Sequence, residues 1–86
     1  MTRGDWVTFA QEIARRVRID GEVTLSVDGI IAGTRTTDRS VRGRSFWRAA
    51  QRGDKFADAF AKEGLVIEFR PDDPGKSVEF VTFRLA

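Results

Sequence analysis

The chain has 86 residues, of which 41% are hydrophobic and 33% are charged, and its formal net charge is +2. A chain of this length buries only about 60 to 65% of its unfolded surface, so we expect one domain over residues 1–86 with one core. The composition is too apolar for a disordered chain, and no apolar run approaches the ~18 residues of a membrane-spanning helix. Residues 3–5 do not lead into a signal-peptide core. We therefore expect a soluble, cytoplasmic protein that does not associate with membranes.

The side-chain inventory excludes most catalytic machinery, because the chain contains no His, Cys or Tyr. Disulfides, thiolate or imidazole zinc sites and Ser-His-Asp triads are therefore impossible. The glycines do not have the spacing of a phosphate-binding or dinucleotide-binding loop. Asp72 and Asp73 stand in a Pro-Gly turn, which indicates a hairpin loop rather than the converging carboxylates of a metal-dependent nuclease. We expect a non-enzymatic binding protein with no cofactor and no metal.

An amphipathic helix is predicted over residues 5–18, ending at Asp20-Gly21. Its apolar residues recur at the three- and four-residue spacings that place them on one helix face: Trp6, Phe9, Ala10, Ile13, Ala14 and Val17.

Strict alternation of apolar and polar residues then predicts a strand over Glu22–Val27. Asp28-Gly29 follows, a dipeptide typical of the two-residue turn in a β-hairpin. We expect the return strand to run from Ile30 to about Thr36.

Residues 36–44 lack a hydrophobic period and predict an exposed loop. A second helix is expected over residues 45–63, which Gly53-Asp54 can divide into two pieces. Two strands, residues 65–70 and 77–85, complete the chain, with a turn rich in Pro, Asp and Gly at residues 71–76 between them.

The expected fold is a small two-layer α+β domain in the order α-β-β-α-β-β, with two helices on one face of a four-stranded antiparallel sheet. Residues 9–14 and 56–61 are similar, which indicates either a duplicated αββ unit or chance alignment of small residues. The positions predicted to be mostly buried are Phe9, Ile13, Leu25, Phe56, Phe60, Ile67 and Phe69.

Positive charge is concentrated in residues 34–55, which hold seven basic residues against two acidic ones. At 100° per residue, the side of the second helix opposite its phenylalanines carries Arg44, Arg48, Lys55 and Lys62, with Arg52 at the edge. Arg35, Arg39 and Arg42 precede them. Such a cationic surface can follow a phosphate backbone, although it is also what the solvated face of an arginine-rich protein looks like.

Two aromatic residues have open interpretations. Trp47 lies between the phenylalanine face and the basic side, where it could stack on a base, anchor a protein partner or cover the sheet edge. Phe80 points to the opposite face of its strand from Val81 and Phe83. If helices cover only one face of the sheet, Phe80 is available for self-association, and we expect a homodimer in that case.

The favoured function is nucleic-acid binding, to DNA or RNA. The alternative is a protein-protein interaction module, such as a small inhibitor or adaptor of the kind that mobile elements carry, docked on an acidic protein. Both functions use the same candidate residues: Arg35, Arg39, Arg42, Arg44, Trp47, Arg48, Arg52 and Lys55.

Overall fold

The computed structural model describes residues 5–37, 39–53, 58–70 and 77–85. These residues form four α-helices and three strands, with one short 3₁₀ turn at Arg39–Arg42. In chain order the elements are α1 (Trp6–Asp20), β1 (Glu22–Ser26), α2 (Val27–Thr34), α3 (Arg44–Gln51), α4 (Asp58–Lys62), β2 (Leu65–Arg70) and β3 (Phe80–Leu85).

The three strands form one antiparallel sheet in the order β1-β3-β2, so the last strand of the chain is the central one. Leu25 on β1 lies opposite Val81, and Ile67 on β2 lies opposite Phe83. These residues share the inner face, against which α1 and α4 pack, and Val81 and Phe83 are fully buried. The α+β class is confirmed, but the expected four-stranded sheet with two helices is wrong.

The missing fourth strand is the helix α2. Where the sequence predicts a hairpin at Asp28-Gly29, the side chain of Ser26 instead caps a helix by accepting a hydrogen bond from the Gly29 N–H at 3.0 Å. Apolar or buried residues then recur at helical spacing through Val27, Ile30 and Thr34. The first half of the chain is therefore α-β-α and not an αββ unit.

The helix expected over residues 45–63 is divided near Gly53, as predicted: α3 ends at Gln51, Gly53 has a left-handed conformation (φ 76°), and α4 begins at Asp58. One other expectation changes in detail. The loop expected over residues 36–44 contains the 3₁₀ turn, whose Val41 is fully buried. Thr36, nearby, is also buried. This segment is part of the packed structure because its Val41 side chain belongs to the hydrophobic core.

Among the residues that the structure describes, six aromatic rings form a cluster in the core, and Phe60 lies at its centre. The Phe60 ring contacts the rings of Trp6, Phe9, Trp47 and Phe83 at centroid distances from 4.9 to 6.2 Å. The sixth ring is that of Phe46, which packs against both tryptophans. One cluster therefore joins α1, α3, α4 and the sheet.

The burial predictions agree with this core in part. Ile13, Phe60 and Ile67 are buried as predicted, whereas three others are partly buried and pack against the core from its edge: Phe9, Leu25 and Phe69. The predicted turn at residues 71–76, together with Asp54, Lys55 and Phe56, lies outside the described residues. Within the described ranges, no helix has both the length and the apolarity that crossing a bilayer requires.

Candidate functional site

An open groove of about 900 Å³ lies between α3 and the outer face of the sheet. Helix α3 is held beside the edge strand β2, where the Gln51 side-chain amide donates a hydrogen bond to the Ile67 carbonyl at 2.9 Å. This contact satisfies a carbonyl of the edge strand and fixes the helix at the border of the sheet. The solvent-facing side of α3 and the uncovered face of the sheet thereby become the two sides of one groove.

One side of the groove is a cationic wall, which we define as Arg44, Arg48 and Arg52. The four-residue spacing places these residues on successive turns of α3, about 6 Å apart along its axis. They project outward because the opposite side of α3 is buried in the core through Phe46 and Ala50.

The three guanidinium groups have different surroundings. Arg48 is exposed and forms no ion pair with any residue that the structure describes. Arg44 is half-buried, and its Nε is enclosed without a hydrogen-bond partner in the described part of the chain. Arg52 is exposed and has interactions of its own. Arg48 is therefore the member of the wall that is most available to a ligand.

The other side is a sheet floor, which we define as Glu22, Thr24, Glu68, Phe80 and Thr82 on the outer face of the three strands. The Thr24 and Thr82 hydroxyls share a hydrogen bond of 2.8 Å across β1 and β3. Glu68 forms an ion pair with Arg84 on the same face. The Phe80 side chain is 52% exposed, the largest exposure of any aromatic residue in the described segments.

The groove combines a row of guanidinium groups with one exposed aromatic ring. A wall of guanidinium groups binds phosphates or carboxylates, and an exposed phenyl ring offers a stacking surface. Among residues 5–37, 39–53, 58–70 and 77–85, no three side chains of metal-binding type lie close enough together to hold a metal ion.

Three of the predicted arginines lie outside the groove. The Arg42 guanidinium pairs with the Asp28 carboxylate at 2.6 Å and links the 3₁₀ turn to the start of α2. Arg35 is exposed at the end of α2 in a left-handed conformation (φ 57°), and Arg39 is exposed on the 3₁₀ turn. Of the predicted basic residues that lie in the described ranges, those that line the groove are Arg44, Arg48 and Arg52.

Trp47 lies in the core and offers no ring surface to a ligand. It is 0% exposed, and its indole N–H donates a hydrogen bond of 2.6 Å to the Val41 carbonyl. The bond anchors the 3₁₀ turn to α3, which is a structural role. Of the three interpretations of Trp47, burial at the border of the sheet is closest to what is observed.

Sequence reasoning did not find the sheet floor. The strongest signal for the floor in the sequence is Phe80. The strand pattern predicts that Phe80 lies on the face opposite Val81 and Phe83, and the structure agrees. From the sequence alone, this residue is connected with self-association and not with the arginines. The proximity of this face to the arginines of α3 depends on where α3 docks, and the docking contact of Gln51 with Ile67 joins residues far apart in the sequence.

Comparisons of the chain with protein-family models, with curated proteins and with solved structures find no match. Functional inference therefore starts from the geometry of the groove.

Proposed function

We propose that this protein binds nucleic acid, with the phosphate backbone held along the cationic wall. The observation that carries the proposal is the row of Arg44, Arg48 and Arg52 along one side of an open groove. Arginine offers phosphate two parallel N–H donors and a charge that is present at any physiological pH. Three such groups in a row suit a ligand with regularly repeated phosphates.

The charge pattern of the groove supports a nucleic acid over an acidic protein segment. Glu22 and Glu68 stand on the floor opposite the cationic wall. A nucleic acid carries its negative charge on the backbone only and presents uncharged bases on the other side. A polypeptide rich in Asp and Glu carries carboxylates on several sides, so some of them would approach the two glutamates.

The test of the proposal is an Arg48→Gln variant, titrated with labelled single-stranded DNA, single-stranded RNA and duplex DNA at several salt concentrations. Binding is expected to weaken about equally for unrelated sequences, because phosphate contacts do not read bases. The slope of log K against log salt should fall by about 0.7 for single strands and about 0.9 for a duplex, the amount expected for one lost phosphate contact.

Arg15→Gln is the matched control. Arg15 is exposed on the side of α1 that faces away from the sheet, and its substitution removes the same charge. The control should keep the salt slope of the parent protein. Equal losses in the two variants would mean that net charge alone drives binding, and an absence of binding at low salt would contradict the proposal.

The protein-partner alternative gives a different result in the same assay. If the cationic wall grips an acidic protein, the parent has negligible affinity for every nucleic acid, and Arg48→Gln changes nothing in these titrations. The wall would then bind glutamate- or aspartate-rich peptides, which is tested by titrating the parent and the Arg48→Gln variant directly with labelled acidic peptides.

A further inference from the structure

The groove separates its charges by side, and the separation limits how a nucleic acid can lie in it. The three cations of the wall stand on α3 and its C-terminal cap, whereas the floor has the carboxylate of Glu22 and a Glu68 carboxylate that is paired with Arg84. Phosphates are therefore attracted to the wall more strongly than to the floor. Bases are uncharged and carry amino and imino donors, so they fit beside carboxylates and threonine hydroxyls.

Phe80 provides a stacking surface at one end of this floor, where the central strand begins. It belongs to the central strand, with Ser26 and Arg70 as its register partners on either side, so its ring does not stand at a sheet edge. The half-exposed ring lines the same groove as the arginines of the cationic wall. Bases stack on such rings regardless of sequence.

We infer that the groove takes single-stranded nucleic acid, with phosphates on the cationic wall, bases on the sheet floor and one base stacked on Phe80. This inference rests on the proposed function and specifies its substrate class. A duplex fits poorly because its bases are already stacked on one another and its two backbones present phosphates on both sides, one of which would face Glu22 and Glu68.

A second copy of the chain is the competing occupant of the floor. The apolar area exposed on this face comes mainly from Phe80 and Val66, which are 52% and 40% exposed, and glutamates and threonines surround it. The cores of protein-protein interfaces are depleted of charged residues, so this face has the wrong composition for one. The cationic wall that borders the floor instead favours a polyanion as the occupant of the groove.

The experiment compares Phe80→Leu and Phe80→Tyr with the parent protein, using oligothymidylate, oligouridylate and a duplex of equal length as probes. The leucine variant keeps an apolar side chain but cannot stack, so affinity for both single strands should fall about 5- to 150-fold with the salt slope unchanged. The tyrosine variant should bind like the parent. Comparison of the two single strands separates DNA from RNA as the source of the strand.

Phe80→Trp adds a direct readout of stacking. The native indoles of Trp6 and Trp47 are 3% and 0% exposed, so an oligonucleotide has access only to the new indole. Oligothymidylate should quench the additional emission of this variant and leave the emission of the parent unchanged. Melting temperatures close to that of the parent verify that the three variants are folded.

The outcomes separate the inference from the proposed function. Equal affinity for duplex and single strand, together with an unchanged Phe80→Leu variant, overturns the inference, while the effect of Arg48→Gln still supports nucleic-acid binding. If the parent protein binds none of the oligonucleotides, both the inference and the proposed function are overturned. If light scattering detects a dimer that Phe80→Leu dissociates while oligonucleotide affinity stays constant, the floor is a self-association surface and the inference is wrong.

Discussion

Among single residues, Trp6 and Trp47 can be compared directly, because their buried indoles differ in one hydrogen bond. Both indoles are buried, but the Trp47 N–H donates to the Val41 carbonyl, whereas the Trp6 N–H has no acceptor among the described residues. Trp47→Phe therefore removes a bond and leaves a buried carbonyl unpaired, at a cost of about 1 to 3 kcal/mol beyond the loss of ring volume.

Trp6→Phe is the control, since it shrinks a buried ring equally and removes a donor that is not bonded. Urea unfolding curves of the two variants should place Trp47→Phe lower in stability by that margin. Equal destabilisation would mean that the bond to Val41 contributes nothing. The two variants retain different tryptophans, so circular dichroism is the signal that allows a direct comparison.

The position of Trp47 could not be read from the helical spacing alone. At 100° per residue, the buried arc of α3 runs from Ala49 through Phe46 to Trp47 and covers about 160°. The arc is this wide because α3 packs against the sheet, α4 and the 3₁₀ turn together. The arginines were predicted correctly as the outward residues because charge alone keeps them at the surface.

Among the elements, α2 is the one for which the prediction from the sequence is wrong. Asp28-Gly29 suits a hairpin turn, but the same residues suit the first turn of a helix when a serine precedes them, and Asp28 is favourable near the positive helix N-terminus. Contacts between residues that are distant in the sequence decide between the hairpin turn and the helix. The Asp5 N–H donates to the Thr34 carbonyl at 2.6 Å, and Gly33 lies so close to the Phe9 ring that a Cβ would be 2.8 Å from it.

Ser26→Ala tests the cap of this helix. Loss of the bond from the Gly29 N–H to the Ser26 hydroxyl should lower the free energy of unfolding by about 1 kcal/mol, because the N–H is left without its acceptor. Ser26→Asp should retain most of the stability, since aspartate caps helices equally well and is favourable near the helix N-terminus. Equal stability of all three proteins in thermal melts would show that Ser26 does not act as a cap.

The candidate site was predictable only in its cationic half. Arg44, Arg48 and Arg52 follow from their spacing on a helix with phenylalanines on its other side. Prediction of the sheet floor requires the order of the strands in the sheet. That order depends on the pairing of β1 with β3, which are separated by most of the chain. Once α2 is read as a strand, a four-stranded sheet results and the floor cannot be placed.

In the molecule as a whole, stability depends on the cluster around Phe60. This ring is 0% exposed and contacts four other rings from both layers of the fold. Phe60→Ala should cost about 3 to 5 kcal/mol, which approaches the entire stability of many small domains. We expect the variant to be largely unfolded at room temperature by circular dichroism, or to melt far below the parent.

Ile19→Ala provides the comparison, because Ile19 is 78% exposed near the end of α1 and contributes little to the core. Its melting temperature should stay within a few degrees of the parent. If Phe60→Ala has the same melting temperature as this control, the Phe60 ring is not central to the stability of the domain. Phe60→Leu should lie between the two.

The sheet order has a consequence for how the protein is made. The strand β1 pairs with β3 alone, and residues 27–79 separate the two in sequence. At a synthesis rate of 5–20 residues per second, roughly 3 to 11 s pass between the translation of Ser26 and that of Phe80. Throughout that interval neither β1 nor β2 has its partner strand, and the floor on which bases would rest does not exist. The arginines of the wall are therefore synthesised before β3, and the groove forms only when this central strand is inserted between two strands already made.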